Sequence, residues 1–261
     1  MGGGGSQEQT VLQTPWRTVH WGKKKDELEW LESFRPQRDD VKHLRVLLCG
    51  PAASGKSSFI NSVDSICQKR ITGPADANNS QGTDPELAKT AGQSYTLKYK
   101  THPIQKGTSG QYYPFVFNDV MGMESNEGIL PADIKLAMEG HVKDDYKFDP
   151  KTPLDKSNAG YIKNPTSNDK AHILVFVLAV DINHVTDPQS QMFKKMTDIR
   201  LAARDLDIPQ IAILTKIDEK SCDLVKKDLK NVYSSTNIKN AIYKYLYEWN
   251  LTTNYNGTTL I

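Results

Sequence analysis

The 261-residue sequence predicts an α/β fold with three layers, helices on both faces of a mostly parallel sheet that carries one antiparallel edge hairpin. Three observations predict it. Short, wholly apolar runs such as Val46–Cys49 and Ile173–Val180 are the pattern of strands buried on both faces. Segments with apolar residues three and four apart follow them, which is helical spacing. Between these lies one stretch that alternates apolar with polar and then turns, which is a hairpin. The reading divides the chain into an arm with a short helix over residues 1–40, a main domain over 41–249 and a polar tail over 250–261.

The totals narrow the class. Hydrophobic residues make up 38% and charged residues 25%, enough for a packed core. A net charge of +2 argues against a nucleic-acid partner held by broad phosphate neutralisation. The cysteines, Cys49, Cys67 and Cys222, form no C-x-x-C pair and suggest neither a disulfide framework nor a zinc site. The six histidines form no cluster, and no apolar run has the length of a membrane span. The opening "MGGGGS" fits the N-myristoylation pattern at Gly2, with Lys23, Lys24 and Lys25 as a basic second signal for membrane contact. It fits a flexible glycine-serine linker equally well.

Residues 1–15 read as a flexible lead-in. Asp26 with Glu29 predicts a capping box for a short helix bearing Leu28, Leu31 and Phe34. Trp16, Trp21 and Trp30 are expected to pack this arm on the main domain. The strand Val46–Cys49 is followed by a loop and then a helix bearing Phe59, Ile60, Val63, Ile66 and Cys67. Residues 70–92 read as a loop, and "SYTLKYKTHPI" with "YYPFVFND" as the hairpin. Residues 141–170 are a polar, proline-rich insertion without periodicity. "HILVFVLAVD" is the next buried strand, and Asp187–Pro188 is expected to start a helix bearing Met192, Met196, Ile199, Ala203 and Leu206. "IPQIAILTKID" is a strand and loop. Ser221 is expected to cap a helix bearing Leu224, Val225, Leu229 and Val232, and Ile238, Ile242, Tyr245, Leu246 and Trp249 mark the last helix. "NVYS" is a poor strand, so the sheet is expected to lack its usual last strand, through truncation or a divergent end.

Chemistry enters with "GPAASGKS", Gly50–Ser57, which fits G-x-x-x-x-G-K-[ST] between a buried strand and a helix. Glycines let the backbone curl until successive N–H groups point inward at phosphate oxygens, and the helix N-terminus adds positive potential. Lys56 is placed to reach the β- and γ-phosphates, and Ser57 to offer its hydroxyl to Mg²⁺. The fold is therefore expected to be that of the P-loop nucleoside triphosphatases. "FVFNDVMG" ends a strand in Asp119, a magnesium-orienting acid, with Gly122 three residues on to meet a γ-phosphate. Asp181 is the rival acid. In "LTKID", Asp218 would accept hydrogen bonds from guanine N1 and N2, which adenine lacks, while the Lys216 stem lies across the base. Thr215 stands where many GTPases carry Asn. The candidate nucleotide set is Gly50, Ala53, Ser54, Gly55, Lys56, Ser57, Ser58, Asp119, Gly122, Thr215, Lys216 and Asp218, and the candidate metal set Ser57, Asp119 and Thr90. Thr83 and Thr96 compete with Thr90 for the second magnesium hydroxyl.

In this order the motifs resemble translation-factor-class P-loop GTPases. "PWRTVHW", "YYPFVFNDVMGME" and "HILVFVLAVDIN" add a resemblance to the interferon-induced protein 44 family over residues 14–242. The resemblance implies a cytoplasmic, interferon-responsive, GTP-binding protein with an antiviral or immune role. It implies contacts to GTP or GDP from Gly50, Gly55, Lys56, Ser57, Asp119, Gly122, Lys216 and Asp218. One departure concerns hydrolysis. Met123 stands where many regulatory GTPases place the Gln that orients water, so intrinsic hydrolysis is expected to be slow unless a partner or second subunit supplies the group. Three readings stand at this level: a guanine-nucleotide-binding protein with weak or partner-dependent GTPase activity and a switch in residues 73–92 and 119–130; an ATP-using P-loop enzyme; and a self-associating scaffold with a degenerate site.

Overall fold

The computed structural model describes residues 11–75, 98–108, 110–125, 128–180, 187–218 and 223–248. The chain runs α1 (Lys24–Ser33), β1 (Leu44–Cys49), α2 (Lys56–Gln68), β2 (Lys100–Gln105), β3 (Tyr112–Asp119), α3 (Pro131–Glu139), β4 (Ile173–Ala179), α4 (Gln191–Asp205), β5 (Gln210–Thr215), α5 (Asp223–Lys227), a 3-10 turn (Leu229–Ser234) and α6 (Thr236–Glu248). Among the described residues the sheet has five strands in the order β2-β3-β1-β4-β5. β3, β1, β4 and β5 are parallel, and β2 pairs antiparallel with β3 at the edge. This is the three-layer, P-loop-like αβα arrangement that the sequence predicts. The sheet ends on β5, and no strand follows β5 among the described residues.

Period-two alternation assigns each strand residue to a layer. Leu47 and Cys49 of β1 and Leu174, Phe176 and Leu178 of β4 face one side, with Ile134 and Met138 of α3 and Met196 and Ile199 of α4. Leu48 of β1 and Val175 and Val177 of β4 face the other, with Ile60 and Cys67 of α2 and Phe117 of β3. Leu47, Leu48, Leu174 and Leu178 are fully buried, each stabilising the fold by about 1.5–3 kcal/mol. Leu31 of α1 packs on the second face, tying part of the arm to the domain.

Several local expectations change. α1 begins before Asp26, with Lys23 at its N-cap and no side-chain cap; Asp26 lies in the first turn, where its charge complements the helix dipole. α4 begins at Gln191 because Ser190 caps it through Phe193 N–H, while Asp187 accepts from Gln189 N–H in the turn before. The helix expected from Ser221 to Val232 is broken in two, since Asp228 accepts from Lys230 N–H and starts the 3-10 turn. Ser221 lies outside the described residues. The insertion 141–170 forms neither helix nor strand; aspartate and asparagine turns hold it, such as Asp155 with Ser157 and Asn158 with Gly160.

Candidate functional site

The C-terminal ends of β1, β3 and β5 bring the three motifs to one rim of the sheet, the crevice where open α/β sheets place their ligands. The loop after β1 is bent by close approach. Gly50 has φ +152°, and a Cβ there would lie 2.1 Å from the Val177 carbonyl oxygen. Gly55, at φ +95°, is the N-cap of α2, and exposed Ala53 also takes a positive φ of 56°. Ser54 is 1% exposed, and its Oγ has no hydrogen-bond partner among the described residues. Lys56 is 6% exposed and donates from Nζ to the carbonyls of Pro51 (2.9 Å) and Gly50 (3.2 Å). Burial pushes its pKa down, opposed by the nearby Asp119 carboxylate. Ser58, the third residue of α2, is exposed.

Ser57 and Asp119 meet directly, Ser57 Oγ donating to Asp119 Oδ2 at 2.7 Å. Asp119 ends β3 and is buried. Beyond it the chain turns under the loop. Met123 N–H donates to Gly50 O at 3.1 Å, and Ala52 N–H donates to Met123 O at 3.0 Å. Gly122 lies against Ala52 so closely that a Cβ would stand 2.6 Å from the Ala52 Cα. On its other side Met123 bridges Gly128, and Ile129 N–H donates to Gly122 O. The Met123 side chain is fully buried in the core with Val120 and Ile129, and Lys195 Nζ donates to Glu124 O at 2.6 Å. This latch between Gly122–Met123 and the loop is absent from the sequence expectations. It is a backbone bridge between distant segments, and the only clue to it is an apolar residue in the Gln position.

The base-side motif is tied to the loop as well. Thr215 Oγ1 donates to Ser54 O at 2.6 Å and lies 3.2 Å from Leu178 O. Lys216 takes a left-handed φ of 54°, and Asp218 is exposed. Between them Ile217 packs into a satellite core around Val225 and Ile238, together with Leu224, Val232, Ile242 and Trp16 of the arm. Of the three tryptophans expected to pack the arm on the domain, Trp16 does so, while Trp21 and Trp30 are exposed; the sequence offers no sign that Trp16 joins the loop after β5.

The described residues therefore bring together Gly50, Ala53, Ser54, Gly55, Lys56, Ser57, Asp119, Gly122 and Thr215, with Lys216 and Asp218 on the adjoining turn. Gly2, Thr83, Thr90, Thr96 and Asp181 lie outside the described residues. Among the described residues no helix is long and apolar enough to cross a membrane.

No protein-family model matches the chain. Among curated proteins it is similar to the human protein named interferon-induced protein 44-like, 32% identical over 200 residues, covering 76% of this chain and 41% of the relative. Human interferon-induced protein 44 is 32% identical over 205 residues, covering 78% of this chain and 43% of the relative. Its mouse counterpart is 32% identical over 216 residues, covering 82% and 48%. The chain thus spans less than half the length of the curated relatives it matches.

Proposed function

Because the chain belongs to the interferon-induced protein 44 family, whose relatives are named as interferon-induced, we propose that it is a guanine-nucleotide-binding member acting in the interferon-linked antiviral or immune response. Its GTP hydrolysis is weak or partner-dependent in this reading. One observation carries it: the Ser57–Asp119 contact and the Thr215–Ser54 contact join the phosphate, metal and base motifs at one rim.

The residues fit the ligand. A hydroxyl and a carboxylate, Ser57 and Asp119, are hard oxygen donors suited to Mg²⁺, which would neutralise phosphate charge when bound. Gly50 and Gly55 curve the loop, and the buried Ser54 hydroxyl has hydrogen-bonding capacity to give. Lys56 Nζ would exchange its two carbonyl partners for phosphate oxygens. Lys216 and Asp218 would read guanine.

Titration of fluorescent GTP, GDP and ATP with and without Mg²⁺, with Lys56→Ala as control, tests the reading. Mg²⁺-dependent binding that favours guanine and fails in K56A is expected. Preference for ATP, or no binding of any of them by folded protein, overturns it. A scaffold acting by self-association is the second reading. The buried Met123 in the water-orienting position favours it, because that side chain cannot assist hydrolysis.

A further inference from the structure

We infer that Trp16 of the N-terminal arm is a positioning residue for the base-reading turn Thr215–Asp218, so that the arm sets the purine preference of the site. The inference deepens the guanine-nucleotide reading above and rests on it.

The turn needs outside support. It leaves β5 at Thr215, and β5 is the edge of the sheet, with no further strand beside it among the described residues. Lys216 sits at φ +54°, a conformation that non-glycine residues hold only when their surroundings over-determine it. On the near side Thr215 is fixed by its bond to Ser54 O and by Val180 N–H donating to Thr215 O at 3.0 Å. On the far side the anchor is Ile217, whose partners are the buried Val225 and Ile238, with Trp16 packed against the same cluster.

Trp16 comes from the opposite end of the chain and is itself held firmly. Its N–H donates to Tyr233 O at 2.9 Å, and its ring meets the Tyr233 ring edge-on at 5.1 Å. Leu12 N–H donates to Ser234 O at 2.9 Å, and Val11 bridges Ser235. The arm therefore straps the 3-10 turn and adds Trp16 to the same apolar cluster that seats Ile217. Ile217 lies directly between the two residues assigned to the base, so its seat fixes where Lys216 and Asp218 stand. The phosphate loop is built on β1 and α2, neither of which contributes a residue to this seat.

That separation makes the inference testable by selectivity rather than affinity alone. Mant-GTP and mant-ATP would be titrated with Mg²⁺ against the full chain, Trp16→Ala, Trp16→Phe and Ile217→Ala, with thermal unfolding followed for each. Trp16→Ala and Ile217→Ala are expected to weaken GTP binding about ten-fold, a loss of about 1.4 kcal/mol, with ATP binding unchanged. Trp16→Phe is expected to keep the wild-type GTP:ATP ratio. Phenylalanine keeps a ring for the seat and drops an indole Nε1 that is buried without a partner among the described residues. Should Trp16→Ala not fold, Ile217→Ala makes the same comparison from the loop side. Equal losses for both nucleotides, or an unchanged ratio in folded Trp16→Ala and Ile217→Ala, overturn the inference while leaving the nucleotide reading intact. A wild-type chain that binds neither nucleotide overturns both.

Discussion

Thr215 Oγ1 donates a 2.6 Å hydrogen bond to the carbonyl oxygen of Ser54, across 161 residues of sequence. The contact joins the turn assigned to the base with the loop assigned to phosphate. A threonine hydroxyl thereby makes a tether in a position where the sequence alone flags only a departure from Asn. Replacing Thr215 by the isosteric Val keeps the shape and removes the donor, which costs about 1 kcal/mol of stability. Thr215→Ser keeps the donor and is expected to retain both stability and nucleotide affinity. Urea midpoints and nucleotide titration of the two variants check this, and a Thr215→Val protein as stable and as tight-binding as wild type would remove the tether from the account.

The motifs were legible because each is local. Gly50–Ser57 lies wholly in one strand–loop–helix unit, and Asp119 and Thr215 end strands whose apolar runs are plain in the sequence. The hairpin of β2 and β3 followed from period two, and β4 from its unbroken apolar run. What escaped the reading was long-range or set by competing caps. The Met123 latch depends on chain segments meeting in space. Ser190 displaces Asp187–Pro188 as the start of α4 because its hydroxyl reaches Phe193 N–H. Helix α3 was missed although Pro131 at its start, Asp133 in its first turn and left-handed Gly140 at its end were all available signals.

Met123 carries a second prediction, decided by where its side chain lies. Restoring a glutamine there would be expected to supply a water-orienting group. In the structure the side chain at this position is 0% exposed and packed in the core. Met123→Gln therefore buries an amide with no partner and costs about 1–3 kcal/mol. Single-turnover GTP hydrolysis is expected to stay at the wild-type rate. A ten-fold faster rate with unchanged stability would mean that the residue faces the nucleotide instead.

The same latch bears on discrimination between GTP and GDP. On the proposed nucleotide reading, a γ-phosphate drawing Gly122 toward it would pull Met123 away from Gly50 and Ala52, at the cost of two backbone hydrogen bonds of about 0.5–1.5 kcal/mol each. That cost offsets the added phosphate contact, because a ligand shifts a conformation only by its differential affinity for the two states. GDP is expected to bind at least as tightly as GTP. Competition titration against a fluorescent nucleotide measures the ratio, and GTP binding tighter by ten-fold or more would show that the latch opens without cost.

At the opposite end of the sheet, β1 and β4 begin with a reciprocal pair. Arg45 N–H donates to His172 Nδ1 at 3.0 Å, and His172 N–H donates to Arg45 O at 2.9 Å. The first bond requires an unprotonated Nδ1. Burial lowers the pKa of His172, and Arg45, His43 and Arg38 lower it further, with Asp40 opposing. His43 is lowered by burial, Arg45 and Lys42, with Asp169 opposing. A group whose folded pKa is depressed favours the folded state above its unfolded pKa, about 6.5 for histidine. That contribution is lost as pH falls through the lower folded values. Wild-type stability is therefore expected to drop as pH falls from about 7 through and below about 6.5, a window that opens above the range in which most carboxylates titrate. His172→Asn, which keeps an acceptor oxygen near the Nδ1 position but has no proton to gain, is expected to flatten part of that slope, and adding His43→Gln the rest. Urea unfolding at intervals across this window decides the matter: a double variant with the wild-type slope would assign the acid sensitivity to other groups.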